Sequence, residues 1–146
     1  MGQGHNFDRF VADEAPAIDQ FRRFVGGELG PRLDGSLESL ELVDRYIQNL
    51  TAHPGWESDS LFADYSSNIR PWLTVRLAYY LAQVIRRGLG GEWRLEEDEP
   101  ILDLGSLHVS PLEIAHAYLD GGVDGGLAGL YADLAVRLAQ GAEGQE

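Results

Sequence analysis

A chain of 146 residues with a net charge of −13 and no cysteine is tightly bounded before any motif is read. Its length is that of one ordinary domain, able to bury roughly two thirds of its unfolded surface without staples. The lack of thiols excludes disulfides, thiolate metal sites and cysteine nucleophiles, and the acid excess argues against nucleic acid and anionic membranes, both of which need a basic footprint.

Every fixed cation is arginine, and the charge is unevenly spread. Residues 1–64 carry −7, residues 65–91 carry +4 without a single acid, and residues 92–146 carry −10. No apolar run approaches the ~18 residues of a membrane span, and the N-terminus lacks a basic segment followed by an apolar one. The expectation is one cytoplasmic domain over 1–146, with frayed tails at 1–6 and 141–146.

In chain order, Phe7, Phe10, Val11, Ile18, Phe21, Phe24 and Val25 recur at helical spacing. Pro16 divides them into a short helix near 7–13 and a longer one near 15–27. Ser36 is an N-cap candidate for a helix running to about Ala52. Its apolar stripe is Leu37, Leu40, Val43, Tyr46, Ile47 and Leu50, with Glu38, Glu41, Asp44 and Arg45 assigned to a solvated face. Residues 54–67 read either as a helical turn or as a loop anchored by Trp56 and Phe62.

The longest helix signal begins at Pro71 and ends at Gly88-Leu89-Gly90-Gly91. Leu73, Leu77, Leu81, Val84 and Ile85 share its apolar face. The opposite arc holds Trp72, Arg76, Tyr79, Tyr80, Gln83, Arg86 and Arg87. This arc has two readings. One is a partly buried flank whose arginines pair with the protein's own acids; the other is a recognition surface, because Trp, Tyr and Arg dominate binding hot spots. Residues 92–96 alternate as a strand, 97–100 form a polar turn, 101–104 a second strand and 107–109 a short third. Ser110-Pro111-Leu112-Glu113 is a strong helix start. A last helix spans 126–140, with Leu127, Leu130, Tyr131, Leu134 and Leu138 as its stripe. The fold class is α+β, mostly helical, with five or six helices around a three-stranded antiparallel meander. The expected core is Phe21, Leu40, Val43, Ile47, Leu73, Leu77, Leu81, Val84, Trp93, Ile101, Leu112, Leu130 and Leu134.

Between Ser67 and about Leu119 the chain resembles a group of uncharacterised bacterial domains in which a helix of the form Y-x-G-E-x-x-x-x-x-x-G-G-x-W runs into a short sheet. Tyr80, Gly90, Gly91, Trp93, Pro100 and Pro111 carry the resemblance. It implies a fold and no activity. Ala82-Gln83 stand where that pattern has Gly-Glu, which removes any carboxylate role at that point.

Chemical motifs are sparse. No phosphate loop of the GxxxxGK[ST] or GxGxxG form is present, no nucleophile elbow surrounds Ser106, and His5, His53, His108 and His116 show no HExxH spacing. No catalytic residue, cofactor or metal is expected. The leading expectation is a protein-binding module, immunity-type neutralisation of a toxin being one form of it, with a basic partner and a surface of Trp72, Arg76, Tyr79, Tyr80, Gln83 and Arg87. The alternatives are a homodimer and a small enzyme or metal- or ligand-binding domain. The latter needs a pocket between sheet and helices that brings Arg76, Tyr80, Asp103 and His108 or His116 together.

Overall fold

The structure, a computed structural model, describes residues 2–52, 56 and 69–144. Among these are six α-helices, α1 (Gly2–Ala12), α2 (Glu14–Val25), α3 (Leu37–Thr51), α4 (Ile69–Leu89), α5 (Pro111–Leu119) and α6 (Gly126–Gly144). A 3-10 turn, Gly30–Arg32, joins α2 to α3. The strands β1 (Glu92–Glu96), β2 (Glu99–Asp103) and β3 (His108–Val109) form an antiparallel sheet in the order β1-β2-β3. The chain is therefore α+β and mostly helical, as its periodicities predict. α1 and α6 extend further into the termini than expected, and α4 starts two residues before Pro71. The reading of 54–67 lies outside the described residues apart from Trp56, which is buried.

Local chemistry explains the boundaries. The Ser36 side chain accepts from the Ser39 N–H at 3.2 Å, and the Ser110 side chain from the Glu113 N–H at 3.2 Å, so both N-cap candidates do what Ser does at a helix start. Residues Glu97 and Asp98 have φ of 51° and 67°, the left-handed pair of a type I′ hairpin turn. The β1–β2 turn is thus two residues long, not four, and β2 begins at Glu99. Pro100 faces Leu95 across the ladder. That pair exchanges no hydrogen bonds in a two-residue hairpin, so the missing proline N–H is no loss.

α4 lies at the centre, packing against α2, α3, α5 and α6. An element with neighbours on several sides keeps little free surface. Residues 77–82 are buried without interruption, including Tyr79, Tyr80 and Ala82. The expected core is buried as read, except that Leu112 and Leu130 are half-buried at its margin.

Candidate functional site

The face of α4 proposed for recognition is taken apart by the fold. Tyr79 is 3% exposed and Tyr80 fully buried, so neither belongs to a surface. The Tyr79 hydroxyl donates to the Phe10 carbonyl at 2.7 Å, and its ring stacks on Phe10 with centroids 4.7 Å apart. Burial, then the acids Asp13 and Glu14, push its phenol up to about 12. Tyr80 reaches the other way, into the turn before α3. Gly35 N–H donates to its oxygen at 3.1 Å, and its hydroxyl lies 2.5 Å from Ser39 Oγ, which itself lies 2.5 Å from the Ser36 carbonyl. Ser39 can only donate to that carbonyl, so Tyr80 donates to Ser39 and the chain of bonds runs one way. Burial pushes the Tyr80 phenol up as well.

The arginines of α4 are engaged within the fold. Arg86 meets Glu14 at 2.5 Å and Arg70 meets Asp120 at 2.6 Å. Arg76 lies over the Trp72 ring, 4.5 Å from its centroid, and donates to Gln20 Oε1 at 3.0 Å. Desolvation there lowers its pKa. Arg87 donates to the Asp34 carbonyl. Gln83 is half-buried beside Gly35. Of the four arginines in the +4 segment, Arg70 and Arg86 are thus paired with internal acids, and Arg76 and Arg87 are hydrogen-bonded to neutral acceptors. Trp72, Arg76, Gln83 and Arg87 keep some exposure, but Arg87 is drawn to the turn before α3 while Trp72 and Arg76 line up with α2.

Nor does the structure assemble the enzyme alternative. Arg76 sits with Gln20 and Trp72, Tyr80 with Ser39, and His116 faces Asp120 at 3.7 Å on α5. Only Asp103 and His108 meet, at 3.3 Å, with Glu96 2.6 Å from the other ring nitrogen. Among the described residues no group of three His, Asp or Glu side chains is arranged to hold a metal ion.

One functional-looking acid was missed by the sequence reading. Asp44, assigned to a solvated face, is buried. Its carboxylate accepts from the Tyr118 hydroxyl at 2.6 Å, the Leu127 N–H at 2.8 Å and the Ala128 N–H at 3.2 Å. It therefore caps α6 from α3, meeting two of the unpaired donors of that helix start. Gly126 (φ 71°) passes so close that a Cβ there would lie 2.6 Å from the carboxylate. Burial, then the bond to Asp44, pushes the Tyr118 phenol up. Every partner of Asp44 belongs to the packing, so this is a clamp and not a reactive centre. The signal was present: Asp44 lies between Val43 and Ile47, inside the stripe.

The surface that remains is the β1–β2 hairpin. Alternation puts Glu92, Arg94 and Glu96 on one face with Glu99, Asp103 and His108, and Trp93 and Leu95 on the other with Pro100 and Leu102. Arg94 is held by Asp103 at 2.8 Å, and Ser110 donates to Glu99 at 2.6 Å. The Gly105 N–H, then Arg94 and His108, hold the Asp103 carboxyl below its usual range. On the Trp93 face, Phe7 and Phe10 of α1 approach Leu95 and Pro100 across a groove of about 420 Å³, with Asn6 and Asp98 at its rim. Two further clefts are more polar. One of about 690 Å³ runs along the start of α3, between Arg32, Asp34, Glu38 and Arg45, and one of about 250 Å³ lies between α2 and α4 beside Arg76.

Comparison with protein-family models, with curated proteins and with solved structures found no match.

Proposed function

We propose that this chain is a non-catalytic protein-recognition domain, acting in the cytoplasm, whose partner presents a basic surface to the β1–β2 hairpin. The observation that supports it is a concentration of charge beside an apolar groove. Glu92, Glu96, Glu97, Asp98 and Glu99 lie within eight residues, and the one cation among them, Arg94, is already held by Asp103. Leu95 is 37% exposed and shares the groove with Phe7, Phe10 and Pro100. Apolar anchors give affinity, and a like-signed rim speeds and selects encounters with an oppositely charged partner. The arginines that suggested an anion-binding face are tied to Glu14, Gln20, Asp34 and Asp120, which favours the acidic surface over that one. Among the described residues no helix is long and apolar enough to cross a membrane.

The test is affinity capture from the source cells with wild type beside a Glu92→Gln/Glu97→Asn/Asp98→Asn variant. Asn suits the two left-handed turn positions, so the hairpin keeps its geometry. A basic protein held stoichiometrically by wild type, shed at about 0.3 M salt and not held by the variant is the expected result. Equal capture by both proteins, or capture of acidic proteins only, would overturn the proposal.

A further inference from the structure

β1 is an edge strand, and the geometry of its turn fixes which backbone groups are open. In a two-residue hairpin the residues flanking the turn form a hydrogen-bonded pair, here Glu96 with Glu99. Antiparallel pairing then alternates. Glu92, Arg94 and Glu96 turn their N–H and C=O groups toward β2, while Trp93 and Leu95 turn theirs outward. The second hairpin agrees with this phase, because Leu104 N–H bonds the Leu107 carbonyl across its own two-residue turn. Among the described residues no backbone group pairs with the outward N–H of Trp93 or Leu95.

An added strand would find two different environments along this edge. Side chains on one side would lie beside Glu92, Glu96 and, between them, Arg94, whose charge is met by Asp103 at 2.8 Å; those on the other would lie beside Leu95 at the groove lined by Phe7, Phe10 and Pro100. The faces alternate with the period of a strand, so the matching segment alternates basic and apolar residues.

We infer that β1 accepts an extended segment of a partner protein, of alternating basic and apolar residues, as a fourth strand hydrogen-bonded to Trp93 and Leu95. This rests on the hairpin recognition proposed above and adds its mode of binding. Strand addition explains why the apolar groove and the carboxylates lie on opposite faces of one strand: a single extended chain reads both.

The experiment titrates the full ¹⁵N-labelled chain with three short probe peptides: alternating Lys-Val, the same composition in two blocks, and alternating Glu-Val. Amide exchange is followed residue by residue, with Leu95→Pro and Leu95→Ala as variants. Leu95→Pro removes an N–H that has no partner within the sheet, and Leu95→Ala keeps it while shortening the groove side chain. The expected result is binding of the alternating basic peptide, with new protection at the Trp93 and Leu95 amides and none at Arg94, which is already bonded to β2. Leu95→Pro should weaken binding by at least about tenfold and Leu95→Ala by less. Should Leu95→Pro fail to fold, the wild-type amide pattern decides alone. Unchanged exchange at Trp93 and Leu95 in the saturated complex, or equal affinity of the block peptide, would overturn strand addition while leaving the acidic surface standing. No binding by either basic peptide would remove both.

Discussion

Glu14 and Trp93 stand 79 positions apart, yet the Trp93 indole N–H donates to Glu14 Oε2 at 3.2 Å while Glu14 Oε1 takes Arg86 at 2.5 Å. One carboxylate at the first residue of α2 thus joins the central helix to the first strand. Its position also suits the positive end of the helix dipole. Phe10 completes the junction, edge-on to Trp93 at 4.9 Å between centroids. α1, α2, α4 and β1 meet here, and the hairpin surface is held in place by this contact.

Removing that carboxylate therefore weakens the seat of the hairpin. Glu14→Ala leaves both the indole N–H and the guanidinium without their partner and is expected to cost about 2 kcal/mol; Glu14→Gln, which keeps an acceptor, about 1 kcal/mol. These figures already allow for solvent screening at Arg86, whose side chain is 36% exposed. Urea denaturation followed by tryptophan fluorescence measures both, and equal stability of all three proteins would contradict the assignment.

The Asp44 clamp should be the most sensitive polar position. Asp44→Ala strands the Tyr118 hydroxyl and two N–H groups of α6 in the interior, at an expected cost of about 3 kcal/mol. Gly126→Ala forces a Cβ against the same carboxylate from a left-handed backbone and is expected to cost about 2 kcal/mol or more. Because the two changes strike one contact, the double variant should lose less than their sum. Strict additivity in chemical denaturation would show that they act separately.

Tyr79 and Tyr80 separate packing from hydrogen bonding. Tyr80→Phe keeps the ring that packs beside Phe21 but leaves the Gly35 N–H without an acceptor, for a loss of about 1–3 kcal/mol. Tyr79→Phe frees only one carbonyl lone pair, on Phe10, and should cost about 1 kcal/mol. A larger loss for Tyr79→Phe than for Tyr80→Phe would reverse this ranking.

The same phenols give the pH dependence a sign. A pKa raised by folding contributes stability that is complete below the unfolded value of about 10 and is lost as pH rises through the folded value. For Tyr79 that window runs from about 10 to about 12, and Tyr80 and Tyr118 are shifted in the same direction. Absorbance near 295 nm should therefore show three of the six tyrosines ionising late and together with alkaline unfolding. At the acid end Asp34 and Asp103 are held below their usual range, so their contribution is present above the ordinary carboxylate pKa and is lost as pH falls through the depressed one. Six tyrosines titrating together near 10 in a folded protein would refute the burial argument.

The fold was largely legible because local signals and burial agree. Ser36 and Ser110 cap as their sequence contexts predict, and the alternation of Trp93 with its charged neighbours holds. The charged stretch after β1 closes a tight turn, although two residues sooner than read. Legibility failed where tertiary neighbours set the outcome. A helical wheel supplies one apolar face and so sets Tyr79 and Tyr80 on the opposite arc, as a partly buried flank or a recognition surface, whereas α4 is packed on several sides and buries both. Asp44 was placed in solvent because charge usually predicts exposure. Its partners are a tyrosine 74 positions away and the start of a helix 83 positions away, distances that no periodicity reports. The candidate surface moves for the same reason: the arginines of α4 are engaged by distant parts of the chain, whereas the hairpin stays acidic even with Arg94 on Asp103, His108 on Glu96 and Ser110 on Glu99.

The most direct test of the central claim, recognition of a basic segment by the acidic hairpin, is calorimetric titration of the alternating Lys-Val peptide at about 0.05 M and about 0.3 M salt. Wild type is compared with the Glu92→Gln/Glu97→Asn/Asp98→Asn variant. The account predicts measurable binding by wild type that weakens by at least about tenfold across this salt range, and a comparable loss in the variant at low salt. Affinity that is the same in both proteins, or insensitive to salt, would contradict it.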